Sequence, residues 1–218
     1  GFPYTIAYGM TECGPIICSS RWETLKLASC GKATTRMEVR IDSPDPKTHA
    51  GEIVCRGMNM MLGYYKNPEA TAQIIDANGW LHTGDIAEIK NGGHIYITGR
   101  IKNMIVLSGG KKVFPEEVEA VLEKSPLFAE VCVLGISRTF GVKDGTEEIA
   151  AVIVPKKEMI EKYSDEELDK VIRAEVKQLS THLTAYKRPV NIVVTKEPLP
   201  RTSTRKVKRK EVKQLVNA

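Results

Sequence analysis

The sequence predicts a mixed α+β fold in which a strand-rich first part is followed by alternating strands and helices. Residues 31–98 contain short apolar runs separated by turn residues, as strands of a sheet do. Beyond Arg100, helical patterns alternate with strand patterns. The chain has 218 residues, of which 42% are hydrophobic and 27% are charged, and this suits one large domain or two small ones.

The first half of the chain is predicted to be rich in strands. Residues 4–8 form a short apolar run that predicts a buried strand. Residues 37–41 alternate apolar and charged side chains, as a half-buried strand does. The patterns over residues 86–90 and 94–98 flank Asn91-Gly92, which is a two-residue hairpin signal.

Turn and cap residues place the remaining elements of this half. Residues 51–56 predict a further strand. Asn67 can cap a helix that has Pro68 at its first position. Residues 83–85 (Thr-Gly-Asp) are interpreted as a tight acidic turn. Together these elements predict a β-rich, barrel-like subdomain.

The second half predicts a compact α+β unit. Pro115 and two following acidic residues begin a helix, since acidic side chains in a first turn suit the helix dipole. Residues 128–136 and 191–195 predict strands, and the apolar run 149–154 predicts a central strand that is buried on both faces. Ser164-Asp165-Glu166-Glu167 is a capping box, and residues 207–216 predict a terminal helix.

The composition excludes some classes of protein. No apolar run approaches the ~20 residues of a membrane span, so we expect a cytoplasmic protein, with peripheral membrane contact left open. The five scattered cysteines form no CxxC pair, which favours reduced thiols over a metal site. The abrupt start without an initiator Met or a secretory pattern predicts a fragment of a longer protein.

The net charge of +5 is concentrated between Lys196 and Lys213. A basic cluster could meet nucleic acid, anionic lipid or a phosphorylated ligand, so a basic binding module is one alternative function. Glu197 and Glu211 interrupt the cluster, and it lacks the interleaved aromatic residues that single-strand binders use. We therefore favour an interpretation without nucleic acid.

Four polar residues suggest a nucleotide site. Asp85 follows a glycine and could accept hydrogen bonds from two vicinal ribose hydroxyls, while Arg100 could add a charge-assisted contact. Glu12 is a hard oxygen ligand that suits Mg²⁺ on a nucleotide, and Thr11 beside it could donate to a phosphate. Each residue alone also fits a structural role, such as capping a turn.

Several motifs follow one another over nearly the whole chain. They are Tyr8-Gly9-Met10-Thr11-Glu12, Gly51-Glu52-Ile53, Gly57, Gly63-Tyr64-Tyr65, residues 79–85, Gly99-Arg100-Ile101-Lys102, Ser108-Gly109-Gly110, residues 115–119 and residues 200–206. In this order they resemble the adenylate-forming superfamily of acyl-CoA synthetases, firefly luciferase and peptide-synthetase adenylation domains. The Ser-Gly-Gly turn and the motif over residues 79–85 are most similar to long-chain fatty-acid-CoA ligases.

The resemblance implies an enzyme that uses ATP and Mg²⁺ to adenylate a fatty acid and transfers the acyl group to coenzyme A. Residues 1–98 would be the C-terminal part of a large adenylating domain that includes the barrel-like subdomain, residues 99–103 a hinge, and residues 104–218 a small mobile α+β domain. The chain alone would then be nearly inactive. A different acid, such as an aryl acid, or a different acceptor, such as a carrier-protein thiol, is the alternative.

The resemblance also implies a role for each candidate site residue. Tyr8 would stack on adenine, Gly9 and Thr11 would lie at the nucleotide with Thr11 at the α-phosphate, and Asp85 would hold the ribose with the help of Arg100.

The remaining roles belong to catalysis, the hinge and coenzyme A. Glu12 would hold Mg²⁺ and would be catalytic together with Thr11 and Lys206. Lys206 would bridge the substrate carboxylate and the α-phosphate. Lys102 would be the hinge residue, and Ser108, Gly109 and Gly110 would line the path of coenzyme A.

The chain departs from the family pattern at two positions and in one larger feature. Arg205 stands where family members usually carry glycine before the catalytic lysine. Asn103 stands where an acidic residue often follows the hinge lysine. Nothing in the sequence resembles the Ser/Thr/Gly-rich phosphate loop of the family.

Overall fold

The computed structural model describes residues 3–90, 92–137 and 147–217. The chain divides into two compact units, Gly1–Lys102 and Asn103–Ala218. Asn91 of the predicted hairpin turn lies outside the described residues. The mixture of helices and strands agrees with the predicted α+β class.

The first unit consists mainly of strands. Its strands and its helix are β1 (Ala7–Tyr8), β2 (Cys18–Ser19), β3 (Lys32–Ala33), β4 (Met37–Asp42), β5 (Gly51–Gly57), α1 (Pro68–Ile74), β6 (Leu81–Lys90) and β7 (His94–Arg100). Helix α1 begins as predicted, because the Asn67 side chain accepts a hydrogen bond from the Ala70 amide at 3.0 Å and Pro68 fills the first position.

Two antiparallel sheets make up the first unit. One has the strand order β1-β2-β3 and the other the order β4-β5-β6-β7. The backbone of Cys30 and Gly31 adds two hydrogen bonds to Ile95 in β7. As paired, the four-stranded ladder is open, with β4 and β7 at its edges; the predicted barrel-like shape stays a prediction.

The predicted acidic turn at residues 83–85 is wrong, because these residues lie inside strand β6. The register passes from the pair Glu52–Ile86 to the pair Val54–His82, so residues 83–85 together face Ile53 as a bulge. Gly84 has a φ of +71° there, a conformation that glycine adopts without steric cost. Residues that favour a turn are present, but here they form a bulge, which places extra residues in one strand of the sheet.

The prediction of a buried strand over residues 4–8 is also wrong in part. Only Ala7–Tyr8 is a strand, and Ala7 is exposed. Tyr4 is 63% exposed. Within the part of the chain that the structure describes, this strand pairs with β2 alone and lies at the edge of its sheet.

The second unit begins with a small hairpin and continues as a sheet with helices. Its elements are β8 (Ile105–Val106), β9 (Lys112–Val113), α2 (Pro115–Leu122), β10 (Phe128–Ser137), β11 (Glu147–Pro155), α3 (Lys157–Lys162), α4 (Asp165–Leu179), β12 (Asn191–Val194) and α5 (Arg209–Asn217). Strand β11 is central, antiparallel to β10 and parallel to β12.

The sheet of the second unit is buried on both faces, as the apolar run of β11 predicted. Side chains at alternate positions of β10 and β11 pack with α2 and α4 in one cluster. The intervening positions pack with Leu199, Val207 and Val212 in a second cluster. The segment that carries Lys206 is therefore fixed at both ends, because Leu199 and Val207 flank it within this second cluster.

The terminal helix begins later than predicted. Helix α5 starts at Arg209, whereas Val207 forms an isolated antiparallel bridge with Arg201. Residues 202–206 connect the two sides of this bridge. The helical pattern begins at Val207 because its side chain packs in the same cluster as the helix.

All five cysteines are free, and Cys13, Cys18, Cys55 and Cys132 are buried, in agreement with the prediction of reduced, mostly buried thiols. Across the described ranges, no helix combines the length and the apolar character that crossing a membrane requires.

Candidate functional site

Three of the residues predicted to bind nucleotide form one cluster in the first unit. The Asp85 carboxylate accepts a hydrogen bond from the Tyr8 hydroxyl at 2.7 Å. It also forms an ion pair with Arg100 Nε. A second guanidinium nitrogen, Arg100 Nη2, lies 3.4 Å from Asp85 Oδ2. Asp85 is only 5% exposed, whereas the Arg100 side chain is 54% exposed.

Strand register explains why Asp85 and Arg100 meet. The two residues are direct cross-strand partners in β6 and β7, so their side chains lie on the same face of the sheet. The bulge turns Asp85 toward Tyr8. Thr83 Oγ1 stabilises this shape by donating to the Ile53 carbonyl at 2.8 Å and accepting from the Asp85 amide at 3.1 Å.

Glu52 fixes the other side of the bulge. Its Oε1 accepts a hydrogen bond from the Gly84 amide at 2.9 Å, and its Oε2 lies 2.8 Å from His82 Nδ1. This hydrogen bond to Glu52 raises the pKa of His82. The backbone of the bulge is therefore held by side chains from two strands.

Tyr8 is partly buried and packs against two hydrophobic clusters of the first unit. Burial, together with the Asp85 carboxylate, raises the pKa of the Tyr8 phenol. Its hydroxyl therefore stays protonated and acts as a donor to Asp85. A carboxylate offers about four lone-pair positions, and three donors already occupy Asp85.

Glu12 and Thr11 lie in a 3-10 turn, Thr11–Cys13, that follows β1. Glu12 Oε1 accepts a hydrogen bond from the Tyr64 hydroxyl at 2.7 Å, and this bond raises the pKa of Tyr64. Thr11 is exposed. Among the contacts of the described residues, none joins this pair directly to Asp85.

Backbone packing explains the glycine at residue 9 of the same motif. A Cβ atom at Gly9 would lie 1.9 Å from the Pro15 carbonyl oxygen, which no side chain could tolerate. Gly9 is therefore required by the close approach of the backbone to residue 15, whatever ligand the motif holds.

Lys206 belongs to the second unit and is exposed. Its amide donates to Thr202 Oγ1 at 3.1 Å, and its carbonyl accepts from the Thr202 amide at 2.8 Å. Arg205 has a φ of +63°, which is the left-handed conformation that favours glycine. The turn therefore needs a positive φ at residue 205, and this explains physically why glycine would suit that position.

Lys102 and the glycine turn are also exposed. Lys102 lies in the 3-10 turn Ile101–Asn103, which directly follows β7. Ser108, Gly109 and Gly110 join β8 to β9, and the φ angles of the two glycines are +84° and +75°. These angles alone account for the glycines, since a Cβ at either position would meet nothing within 4 Å.

The basic C-terminal region is largely paired with acidic side chains. Arg201 lies 2.6 Å from Glu130, and Arg209 lies 2.6 Å from Glu119. Lys196, Lys208 and Lys213 also form ion pairs, with Asp165, Glu211 and Glu147. Such pairing lowers the positive field that a nucleic acid or lipid surface would meet.

Sequence reasoning missed several residues that shape the site. Tyr64 was recognised only as part of a motif, although its hydroxyl holds Glu12. Thr83 and Glu52 hold the bulge through partners that include residues about 30 positions away. For Thr83, Glu52 and Tyr64 a usable signal existed, since all three lie within the quoted motifs.

Comparison with known proteins gives the family. Residues 2–65 match the AMP-binding enzyme family, and residues 102–217 match the AMP-binding enzyme C-terminal domain. The chain belongs to the AMP-binding enzyme family. The resemblance to adenylate-forming enzymes is thereby confirmed at the level of the family.

Curated relatives of this AMP-binding enzyme chain are CoA ligases by name. It is 34% identical to a 2-succinylbenzoate–CoA ligase of Bacillus cytotoxicus, over 99% of this chain and 42% of the relative. It is 33% identical to 4-coumarate–CoA ligase 1 of Oryza sativa subsp. japonica, over 95% of this chain and 36% of that protein. The chain thus spans about two-fifths of the length of the relatives it matches.

A solved structure shows the same fold. The o-succinylbenzoate coenzyme A synthetase of Bacillus subtilis, in complex with ATP and magnesium ion, has a TM-score of 0.75 and 32% identity, with 98% of this chain and 42% of that chain covered. The predicted mixed α+β fold is confirmed. The roles of individual site residues and the division into a hinge and two domains stay predictions.

Proposed function

We propose that this chain is the C-terminal portion of an AMP-forming acid–CoA ligase. In the first half-reaction a carboxylate attacks the α-phosphate of ATP and releases pyrophosphate. In the second half-reaction the thiol of coenzyme A displaces AMP and gives a thioester. Because the chain spans about two-fifths of its relatives, the activity is proposed for the longer protein.

The observation that carries this proposal is the cluster of Tyr8, Asp85 and Arg100. The family resemblance assigns all three to a nucleotide, and Tyr8 and Arg100 both contact Asp85 although the three residues come from three different strands. A ring beside a nearly buried carboxylate suits a nucleoside, which presents an aromatic base next to vicinal hydroxyls.

Binding of the nucleoside would require Asp85 to exchange a partner. Its two oxygens already take three hydrogen-bond contacts, so two ribose hydroxyls would displace at least one of them. Tyr8 is the neutral donor and is the easier one to release, because hydrogen bonds from charged groups are stronger. Once released, the Tyr8 ring is free to stack on adenine while Arg100 keeps the carboxylate oriented.

Glu12 fits the Mg²⁺ that accompanies ATP in such enzymes. The described ranges contain no group of three or more acidic, histidine or cysteine side chains that could hold a metal. Magnesium in phosphate sites commonly takes only one or two carboxylates together with phosphate oxygens, and Glu12 would be that carboxylate. The ion would supply neutralisation of phosphate charge, while Tyr64 holds Glu12 in position.

Lys206 would act in the first half-reaction. A carboxylate and an α-phosphate repel each other, and an ammonium between them lowers that repulsion where charge develops. The Lys206 side chain suits this role because it is exposed at the base of a hydrogen-bonded turn, and no carboxylate of the described residues neutralises it. Thr11 would donate to the α-phosphate.

The second half-reaction is assigned to the region around the hinge. Lys102 would be the residue about which the second unit turns, and Ser108, Gly109 and Gly110 would lie along the path of the pantetheine arm. Their exposure and lack of bulk are compatible with close approach of a ligand.

An aromatic acid is the favoured substrate class. The curated relatives are named for 2-succinylbenzoate and 4-coumarate, and neither name is a fatty acid. The long-chain fatty acid predicted from the sequence has no support among them, and the predicted alternative of an aryl acid fits better. Transfer to a carrier-protein thiol is less favoured, because both names specify CoA. Cytoplasmic location and peripheral membrane contact stay predictions.

The test is a pair of assays on the longer protein. ATP–pyrophosphate exchange measures adenylation, and mass spectrometry of CoA thioesters measures transfer. We expect exchange with 2-succinylbenzoate or 4-coumarate and little with hexadecanoate, and no activity from the 218-residue chain alone. Exchange that no acid stimulates would reject the proposed function, whereas strongest exchange with hexadecanoate would reject only the acid class.

A further inference from the structure

The guanidinium of Arg209 joins three parts of the second unit. It binds both oxygens of Glu119 in helix α2, at 2.6 and 2.8 Å. It also donates to the Val133 carbonyl in β10, while Glu119 Oε1 accepts from the Val133 amide at 2.7 Å. Arg209 is the first residue of α5 and follows Lys206 by three positions.

A second contact extends this network to the residue after the predicted hinge lysine. Arg209 Nη2 lies 3.4 Å from Glu116 Oε1, and the same oxygen accepts from Asn103 Nδ2 at 2.6 Å. The Arg209 side chain is 24% exposed and that of Glu116 is 31% exposed. Partial burial reduces the screening of these charges by water.

The segment of residues 200–208, called here the Lys206 segment, is anchored on both sides of its turn. Arg201 pairs with Glu130 of β10 at 2.6 Å and also donates to the Arg205 carbonyl at 2.8 Å. Arg209 provides the anchor at the other end. The bidentate geometry of Arg209 with Glu119 restrains direction as well as distance.

We propose that Arg209 is a positioning residue that holds the Lys206 segment and, through Glu116, Asn103 in one fixed arrangement. This inference rests on the proposed function, since it assigns Arg209 to the placement of Lys206 for adenylation. Arg209 would touch neither substrate nor nucleotide. Its effect would reach the reaction only through the position of the Lys206 ammonium.

The amide of Asn103 suits this arrangement. It can donate to Glu116, whereas an acidic side chain at residue 103 would place two carboxylates against each other. The presence of Asn103 therefore matches the presence of Glu116 and Arg209 in this chain.

The main experiment compares Arg209→Met with Arg173→Met in the full-length protein. Arg173 is a matched control, because it pairs with Asp169 at 2.6 Å on helix α4 of the same unit. For Arg209→Met we expect adenylation to fall on the order of 10- to 100-fold, as small misplacements of a reacting group do. Thioester formation from preformed acyl-adenylate should change less than about threefold, and Arg173→Met should alter neither step.

Equal loss of both half-reactions in Arg209→Met would overturn the proposal, because a merely structural role weakens the whole unit. No loss in either step would also overturn it. If Arg209→Met does not fold, Arg209→Lys is measured in the same two assays. Lysine keeps the charge but cannot bind both Glu119 oxygens, and the same selective loss is expected.

Exchange of the amide and the carboxylate between residues 103 and 116 tests whether Asn103 belongs to the arrangement. Asn103→Asp should slow adenylation, and Asn103→Asp with Glu116→Gln should restore at least part of the rate, because the glutamine amide can donate to the new carboxylate. Absence of rescue would remove Asn103 from the arrangement.

Hydrogen exchange separates failure of this inference from failure of the proposed function. In Arg209→Met the amides of Thr202, Arg205 and Lys206 should exchange faster than in the parent protein, whatever reaction it catalyses. If the parent shows no acid-dependent pyrophosphate exchange, the proposed function fails, and unchanged protection of these amides then overturns the anchoring as well.

Discussion

The Asp85 cluster and the Lys206 segment differ in the surroundings of their charged groups. Asp85 is 5% exposed and already bound to Tyr8 and Arg100, so folding of the first unit assembles it in advance. Lys206 is exposed, and among the described residues the hydrogen-bond partners hold only its backbone. The ion pair with Arg100 orients the carboxylate before a ligand replaces Tyr8, and such preorganisation favours binding. A cation that must meet a developing charge, in contrast, is useful only if nothing neutralises it first.

The largest effect is expected from Lys206→Ala in the full-length protein. Adenylation should fall on the order of 100- to 1,000-fold, because one preorganised charge is removed. Thioester formation from preformed acyl-adenylate and the thermal midpoint should remain nearly unchanged, since the side chain is exposed. Lys210→Ala, another exposed lysine nearby, is the control, and an equal loss there would count against a specific role for Lys206.

Asp85→Asn should affect both binding and stability, unlike Lys206→Ala. The amide cannot accept from Arg100 and two ribose hydroxyls as a carboxylate does, so the KM for ATP should rise by about 10- to 100-fold. The urea midpoint of the protein should also fall, because the ion pair with Arg100 is weakened. A variant with altered KM but an unchanged midpoint would show that the cluster is not assembled by folding.

Replacement of Tyr8 separates the ring from the hydroxyl. Loss of stacking in Tyr8→Ala should raise the KM for ATP by about 5- to 50-fold. Tyr8→Phe keeps the ring and frees one position on Asp85, so its KM should stay within about threefold of the parent. A similar increase in both variants would mean that the hydroxyl, and not the ring, matters for the nucleotide.

The smallest effect is expected from Arg205→Gly. The positive φ costs an L-residue roughly 1–2 kcal/mol, while glycine loses about 0.4–1 kcal/mol through the greater freedom of the unfolded chain. The free energy of unfolding should therefore rise by up to about 1.5 kcal/mol, as measured by urea denaturation, with little change in adenylation. A clear destabilisation would mean that the Arg205 side chain contributes a contact of its own.

Local patterns predicted most of the helices and strands. The cap at Asn67, the apolar run of β11 and the capping box at Ser164 each depend on neighbouring residues. The Ser164 amide, for example, donates to the Glu167 carboxylate at 3.1 Å. The error at residues 83–85 has the opposite origin, because a turn signal and a bulge signal use the same glycine, and only the partner strand distinguishes them.

The sequence by itself determined the fold class, the family and the candidate residues, because each rests on residue types in a local order. The tertiary structure decided which of these residues meet. It brought Tyr8, Asp85 and Arg100 together through strand register and a bulge. It also joined Arg209 to Glu116 and Glu119, and Glu116 to Asn103. Such contacts between different elements leave no periodic trace in a single sequence, since they depend on how the elements pair and pack.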